Sequence, residues 1–131
     1  MAYRGIFAGL TVLFLAMALA GCRSAPIHNV KSAPIPATAE VENLKEVTKA
    51  IQRAGIGLGW KMRVKEPGHI IGTLDIRSHQ AVVDIKYSKS GYDITYKDSS
   101  NLEHSGDKIH SNYNDWVRNL DRDIQKELLS S

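Results

Sequence analysis

The stretch WKMRVKEPGHIIGTLDIRSHQAVVDIKYSKSGYDITY, residues 60–96, decides the fold. Trp60, Met62 and Val64 alternate with Lys61, Arg63 and Lys65, the two-residue period of a half-buried strand. Glu66-Pro67-Gly68 supplies a three-residue turn with glycine at the left-handed position. That turn pairs Val64 with Ile70, Met62 with Gly72, and Trp60 with Leu74. Ser78-His79 makes the next tight connection, pairing Ile76 with Ala81, Leu74 with Val83, Gly72 with Ile85 and Ile70 with Tyr87. The loop Ser88-Lys89-Ser90-Gly91 pairs Tyr87 with Tyr92, Ile85 with Ile94 and Val83 with Tyr96, and sets Lys86 across from Asp93. All three connections keep the same face apolar, and a one-residue slip in any of them would destroy the agreement. The expectation is a four-stranded antiparallel meander.

A helix is expected on each side of it. Before the meander, Leu44, Val47, Ile51 and Ala54 recur at helical spacing, predicting a helix over 39–54 with Thr38 as N-cap and Gly55 just past the end. After it, Tyr113, Trp116, Val117, Leu120, Ile124 and Leu128 form a stripe, predicting a helix capped by Ser111 or Asn112 and ending near Leu128. Each helix has one apolar stripe and the sheet one apolar face. The fold class expected is therefore α+β, a two-layer sandwich in α-β-β-β-β-α order with both helices on one face.

Upstream, Arg4 precedes an apolar run from Ile6 to Ala20, which ends in Leu19-Ala20-Gly21-Cys22. Charged, apolar and small-residue regions in that order make a secretory signal, and the run falls short of the ~20 residues of a spanning helix. A cleavage site ending in cysteine resembles the lipobox of bacterial lipoproteins, small examples of which are common in Gram-negative envelopes. The resemblance implies a diacylglyceryl group on the Cys22 thiol, cleavage before it, and acylation of the new amino terminus. Arg23 stands where an Asp would resemble an inner-membrane retention signal, so the implied address is the periplasmic face of the outer membrane. Cutting after Ala20, with Cys22 left as a free thiol, is the competing possibility. Residues 1–21 are then a cleaved signal peptide, 22–37 the lipidated Cys and a tether, and 38–131 a single globular α+β domain. Pro26, Pro34 and Pro36 favour a semi-extended tether over an edge strand near Ile27–Val30.

Cys22 is the one cysteine, which excludes an intrachain disulfide. Removing Arg4 leaves 16 Lys+Arg against 14 Asp+Glu, too balanced to imply nucleic acid as a partner. The five histidines, His28, His69, His79, His104 and His110, show no zinc-site spacing and read as surface loop residues. No nucleophile elbow occurs, and the glycines at 55, 57 and 59 follow a helix, whereas a dinucleotide fingerprint follows a strand. No cofactor, metal or catalytic site is expected.

What remains is the polar face of the meander. It carries Lys61, Arg63, Lys65, Arg77, Lys86 and Lys97 against Asp75, Asp84 and Asp93 as solvated partners, with Ile71, Thr73 and Val82 as a less polar patch. Two helices on one side leave this face to water. Lys61, Arg63, Arg77, Lys86 and Lys97 are the candidate docking surface for an envelope protein or anionic envelope polymer. The 99–110 loop is the second candidate. The expected function is a membrane-anchored, non-catalytic binding or structural module of the cell envelope. The alternative is a carrier of a small apolar ligand between sheet and helices, with room left by Gly72 and Ala81.

Overall fold

The computed structural model describes residues 23–130, so Cys22 and residues 1–21, expected as a signal peptide, lie outside the described residues. The fold is α+β. Its strands are β1 (Ser24–Pro26), β2 (Val30–Pro34), β3 (Lys61–Glu66), β4 (His69–Ile76), β5 (His79–Tyr87), β6 (Gly91–Ser100) and β7 (Lys108–His110). Helix α1 (Leu44–Gly57) lies between β2 and β3, and α2 (Ser111–Leu129) follows β7. Five strands form one antiparallel sheet in the order β2-β6-β5-β4-β3, and β1 pairs with β7 as a separate ribbon.

The four-strand count is corrected to five, because the segment expected as a tether is folded. Val30 pairs with Ile94, Ala33 with Tyr92 and Pro34 with Gly91. Prolines hid these strands from a sequence reading, but each sits where a proline is tolerated: Pro26 closes β1 and Pro34 closes the edge strand β2. Gly91 permits the approach, since a Cβ there would lie 2.8 Å from the Ala33 carbonyl oxygen.

Registers differ in instructive ways. The β5–β6 pairs are those expected, Lys86 opposite Asp93 included. Between β4 and β5 the expected pairing is corrected by two residues: Leu74 faces Ala81, Gly72 faces Val83 and Ile70 faces Ile85. The turn is Arg77-Ser78, with Arg77 at φ 55°, the positive value a primed two-residue turn requires at its first position. A slip of two leaves every side chain on the same face, so alternation cannot detect it. In the β3–β4 hairpin Val64 faces Ile70 as expected, but Glu66 pairs with His69 and the strand bulges at Lys65.

Helix boundaries also shift. Asn43, not Thr38, caps α1: its side chain accepts from Glu46 N at 3.2 Å, while the Glu46 carboxylate accepts from Glu42 N at 2.9 Å. The Asn43 side chain satisfies one orphan donor of the first turn, and the Glu46 carboxylate reaches back past the cap to the residue before it. His110 caps α2, its Nδ1 accepting from Asn112 N at 3.1 Å.

Val47, Ala50, Ile51 and Ala54 of α1, Val117, Leu120, Ile124 and Leu128 of α2, and the inward residues of β4, β5 and β6 form one buried cluster. Each buried Val, Leu or Ile side chain among them contributes about 1.5–3 kcal/mol. Tyr92 bolts the layers together: its hydroxyl donates to the Asp121 carboxylate and accepts from Gln125 Nε2 at 2.8 Å, and the same amide reaches Pro34 O at 3.1 Å.

Candidate functional site

The outward face of the sheet positions the candidate residues. Alternation along β3, β4 and β5 places Lys61, Arg63, Ile71, Thr73, Asp75, Val82, Asp84 and Lys86 on the side away from the core cluster. Ile71 is only 9% exposed although it lies outside that cluster. Its neighbours in the sheet are Arg63 on β3 and Asp84 on β5.

The charges do not act as one cationic patch. Lys97 Nζ lies 3.6 Å from Asp84, and Lys61 Nζ lies 3.7 Å from Asp75. Lys86 sits opposite Asp93, whose carboxylate also accepts from Ser32 N at 2.6 Å. Arg63, Lys65 and Arg77 have no ion pair within 4.0 Å among the described residues. Arg77 stands apart at the β4–β5 turn, so the five candidate residues divide into four on the sheet face and one at its tip.

His69 is the residue sequence reasoning missed. It was expected on a loop surface, yet it lies in β4 with 9% exposure. Its Nε2 donates to Asp84 Oδ1 at 2.6 Å, and Nδ1 lies 4.0 Å from Glu66. Asp84 is therefore a hydrogen-bonded partner with 18% side-chain exposure, not a solvated one. Burial pulls its carboxyl upward, but the His69 hydrogen bond, with Lys97, the His69 charge and Lys86, holds it below the ordinary carboxylate value. The signal lies in the observed register, which sets His69 opposite Lys86 and diagonal to Asp84, two residues along β5; the expected register, displaced by two, does not bring them together.

The 99–110 segment is pinned to its surroundings. His79 Nδ1 donates to Asn101 O at 2.7 Å, Asn101 Nδ2 donates to Ser78 Oγ at 2.8 Å, and His110 N donates to Leu102 O at 2.8 Å. Leu102 is buried and the His104 ring lies 4.6 Å from that of Tyr96.

Gly72 leaves no space between the layers. A Cβ there would meet Met62 Sδ and Val83 Cγ2 at 3.2 Å and Trp60 Cε3 at 3.3 Å. An apolar groove of about 320 Å³ lies instead at the margin, lined by Leu44, Lys45, Thr48, Val64, Pro67 and Tyr87. Thr48 and Tyr87 satisfy each other's hydroxyls at 2.7 Å, so the groove presents mainly carbon.

No protein-family model, curated protein or solved structure matches this chain.

Proposed function

We propose that the protein is a lipid-anchored module on the periplasmic face of the outer membrane, binding another envelope component without catalysing a reaction. Leu19-Ala20-Gly21-Cys22 supports the anchor. The observation that carries the binding reading is the outward sheet face, where Lys61, Arg63, Lys86 and Lys97 lie around the less polar residues Ile71, Thr73 and Val82. Three antiparallel strand pairs hold these side chains in fixed spacing, so a partner meets a rigid surface.

Ser24 already pairs with His110, so Arg23 alone separates Cys22 from β1. At ~3.8 Å between successive Cα atoms, the anchor lies within about 8 Å of the fold. Several acyl chains hold such a domain almost permanently at about 0.8 kcal/mol per buried CH₂. The domain works within headgroup distance of its bilayer and does not reach across the periplasm.

Reversing the charges of Arg63, Arg77 and Lys86 together, followed by crosslinking in the intact envelope, tests the binding surface. Loss of crosslinked partners with unchanged membrane fractionation is expected. Unchanged partners would remove the sheet face from the account. Carriage of an apolar ligand remains a second reading only through the marginal groove beside Val64, because the space at Gly72 is filled.

A further inference from the structure

We infer that β3 is a docking edge, to which an extended acidic segment of a partner polypeptide adds as a sixth strand of the sheet. The docking edge presupposes the binding module proposed above and names the chemistry it recognises. β3 is a terminal strand whose single partner is β4, and among the described residues no other backbone hydrogen bond involves Lys61–Glu66. In an antiparallel pair alternate residues turn their N–H and C=O groups away from the partner strand, so β3 presents unpaired main-chain donors and acceptors. Every residue of β3 except Met62 is exposed.

The side chains say what kind of strand fits. Lys61 and Arg63 stand on the outward face, with Lys65 at the bulge. Arg63 and Lys65 lack an ion pair among the described residues, and Lys61 has only a 3.7 Å contact to a half-exposed Asp75. Arg63 and Lys65 therefore leave positive charge along this edge, with Lys61 partly offset by Asp75 and the exposed Glu66 at the strand's end. On the other side of the strand Val64 is 41% exposed and opens on the groove with Leu44, Pro67 and Tyr87. Side chains directly opposite in a ladder share a face. An added strand thus meets cations at one set of positions and an apolar hollow at the alternate set, which selects alternating acidic and apolar residues.

The same charges disfavour pairing of this edge with itself. A second copy's β3 in the register with Arg63 opposite Arg63 would also set Lys61 opposite Lys65, which is destabilising, whereas an acidic strand is attracted. Recognition by strand addition draws affinity from the main chain and specificity from such alternating positions.

The test uses the full lipidated chain in detergent micelles, ¹⁵N-labelled, with a capped ten-residue peptide alternating Glu and Val. The expected result is slowed hydrogen exchange at alternate β3 amides, weakening as salt rises. The double variant R63E/K65E, both residues exposed, is expected to bind about tenfold more weakly or worse while keeping its circular dichroism. A matched peptide with Lys replacing Glu should give no protection. Absence of β3 protection with the Glu peptide, or equal protection with the Lys peptide, would overturn the docking edge. So would polyglutamate or polyphosphate binding through Lys86 and Lys97 without β3 protection; that outcome leaves the sheet-face module standing.

Discussion

The side-chain carbonyl of Asn114 accepts the backbone N–H of His28 at 2.8 Å, while its amide donates to Pro26 O at 2.8 Å. Asn114 is 3% exposed and belongs to α2, so one carboxamide ties the segment after β1 to the C-terminal helix. With the Ser24–His110 pairing, this ties residues 24–28 to the fold, where a free tether was the expectation.

Replacing Asn114 with Ala takes this partner from the part-buried His28 N–H and from the Pro26 C=O, at about 0.5–1.5 kcal/mol per lost bond. Asn114→Ala is expected to lower unfolding free energy by that order and to speed hydrogen exchange across residues 24–30 before the rest of the sheet. Exchange rates unchanged in that segment would show that the ribbon is held by other contacts.

Asp84 gives stability an acid limb. Its folded pKa lies below its unfolded value of 3.8, so its contribution is fully present above that value and is lost as pH falls through the lower folded one. Chemical denaturation of the wild type should weaken progressively below about pH 4, and Asp84→Asn should flatten that part of the profile. An identical acid slope in both proteins would assign the effect to other carboxylates.

Tyr92 and Tyr113 make a matched contrast. Burial raises both hydroxyls well above 10.0, with the Asp121 hydrogen bond adding at Tyr92 and the neighbouring Tyr96 at Tyr113. Tyr92 is bonded to Asp121 and Gln125, whereas the Tyr113 hydroxyl has no hydrogen-bond partner among the described residues. Tyr92→Phe is expected to cost about 1–3 kcal/mol, and Tyr113→Phe to be neutral or stabilising. Raised values in the fold mean stability is complete below pH 10 and falls above it, and each Phe variant should shallow that alkaline loss in thermal melts.

Gly91 holds the edge strand β2 in place. A methyl group 2.8 Å from the Ala33 carbonyl oxygen meets backbone, which cannot swing aside as a side chain can. Gly91→Ala should destabilise by about 1–3 kcal/mol and raise exchange in residues 30–34 selectively. Wild-type protection there would mean β2 tolerates the displacement.

The parts of this fold legible in the sequence are those where two signals coincide. Alternation and the Lys86–Asp93 pair agree on β5–β6, and the apolar stripes of both helices carry through to the core. The β4–β5 slip was invisible because period two is blind to shifts of two, and only the Arg77 conformation reveals it. β1 and β7 have three residues each, too few for any period, and prolines masked β2. On the candidate surface the cations were legible as a face, but their neutralisation by Asp75 and Asp84 depends on side-chain reach. His69 was missed because a polar residue on a polar face gives no signal of burial until its cross-strand neighbours are known.

Acylation at Cys22 is the premise on which the envelope role proposed for this protein most directly rests. Metabolic labelling with radioactive palmitate, with and without globomycin, should label the wild type, leave Cys22→Ala unlabelled and soluble in the periplasm, and give a larger, uncleaved form when the lipoprotein signal peptidase is blocked. A wild type that takes up no palmitate and keeps its size under globomycin would contradict it.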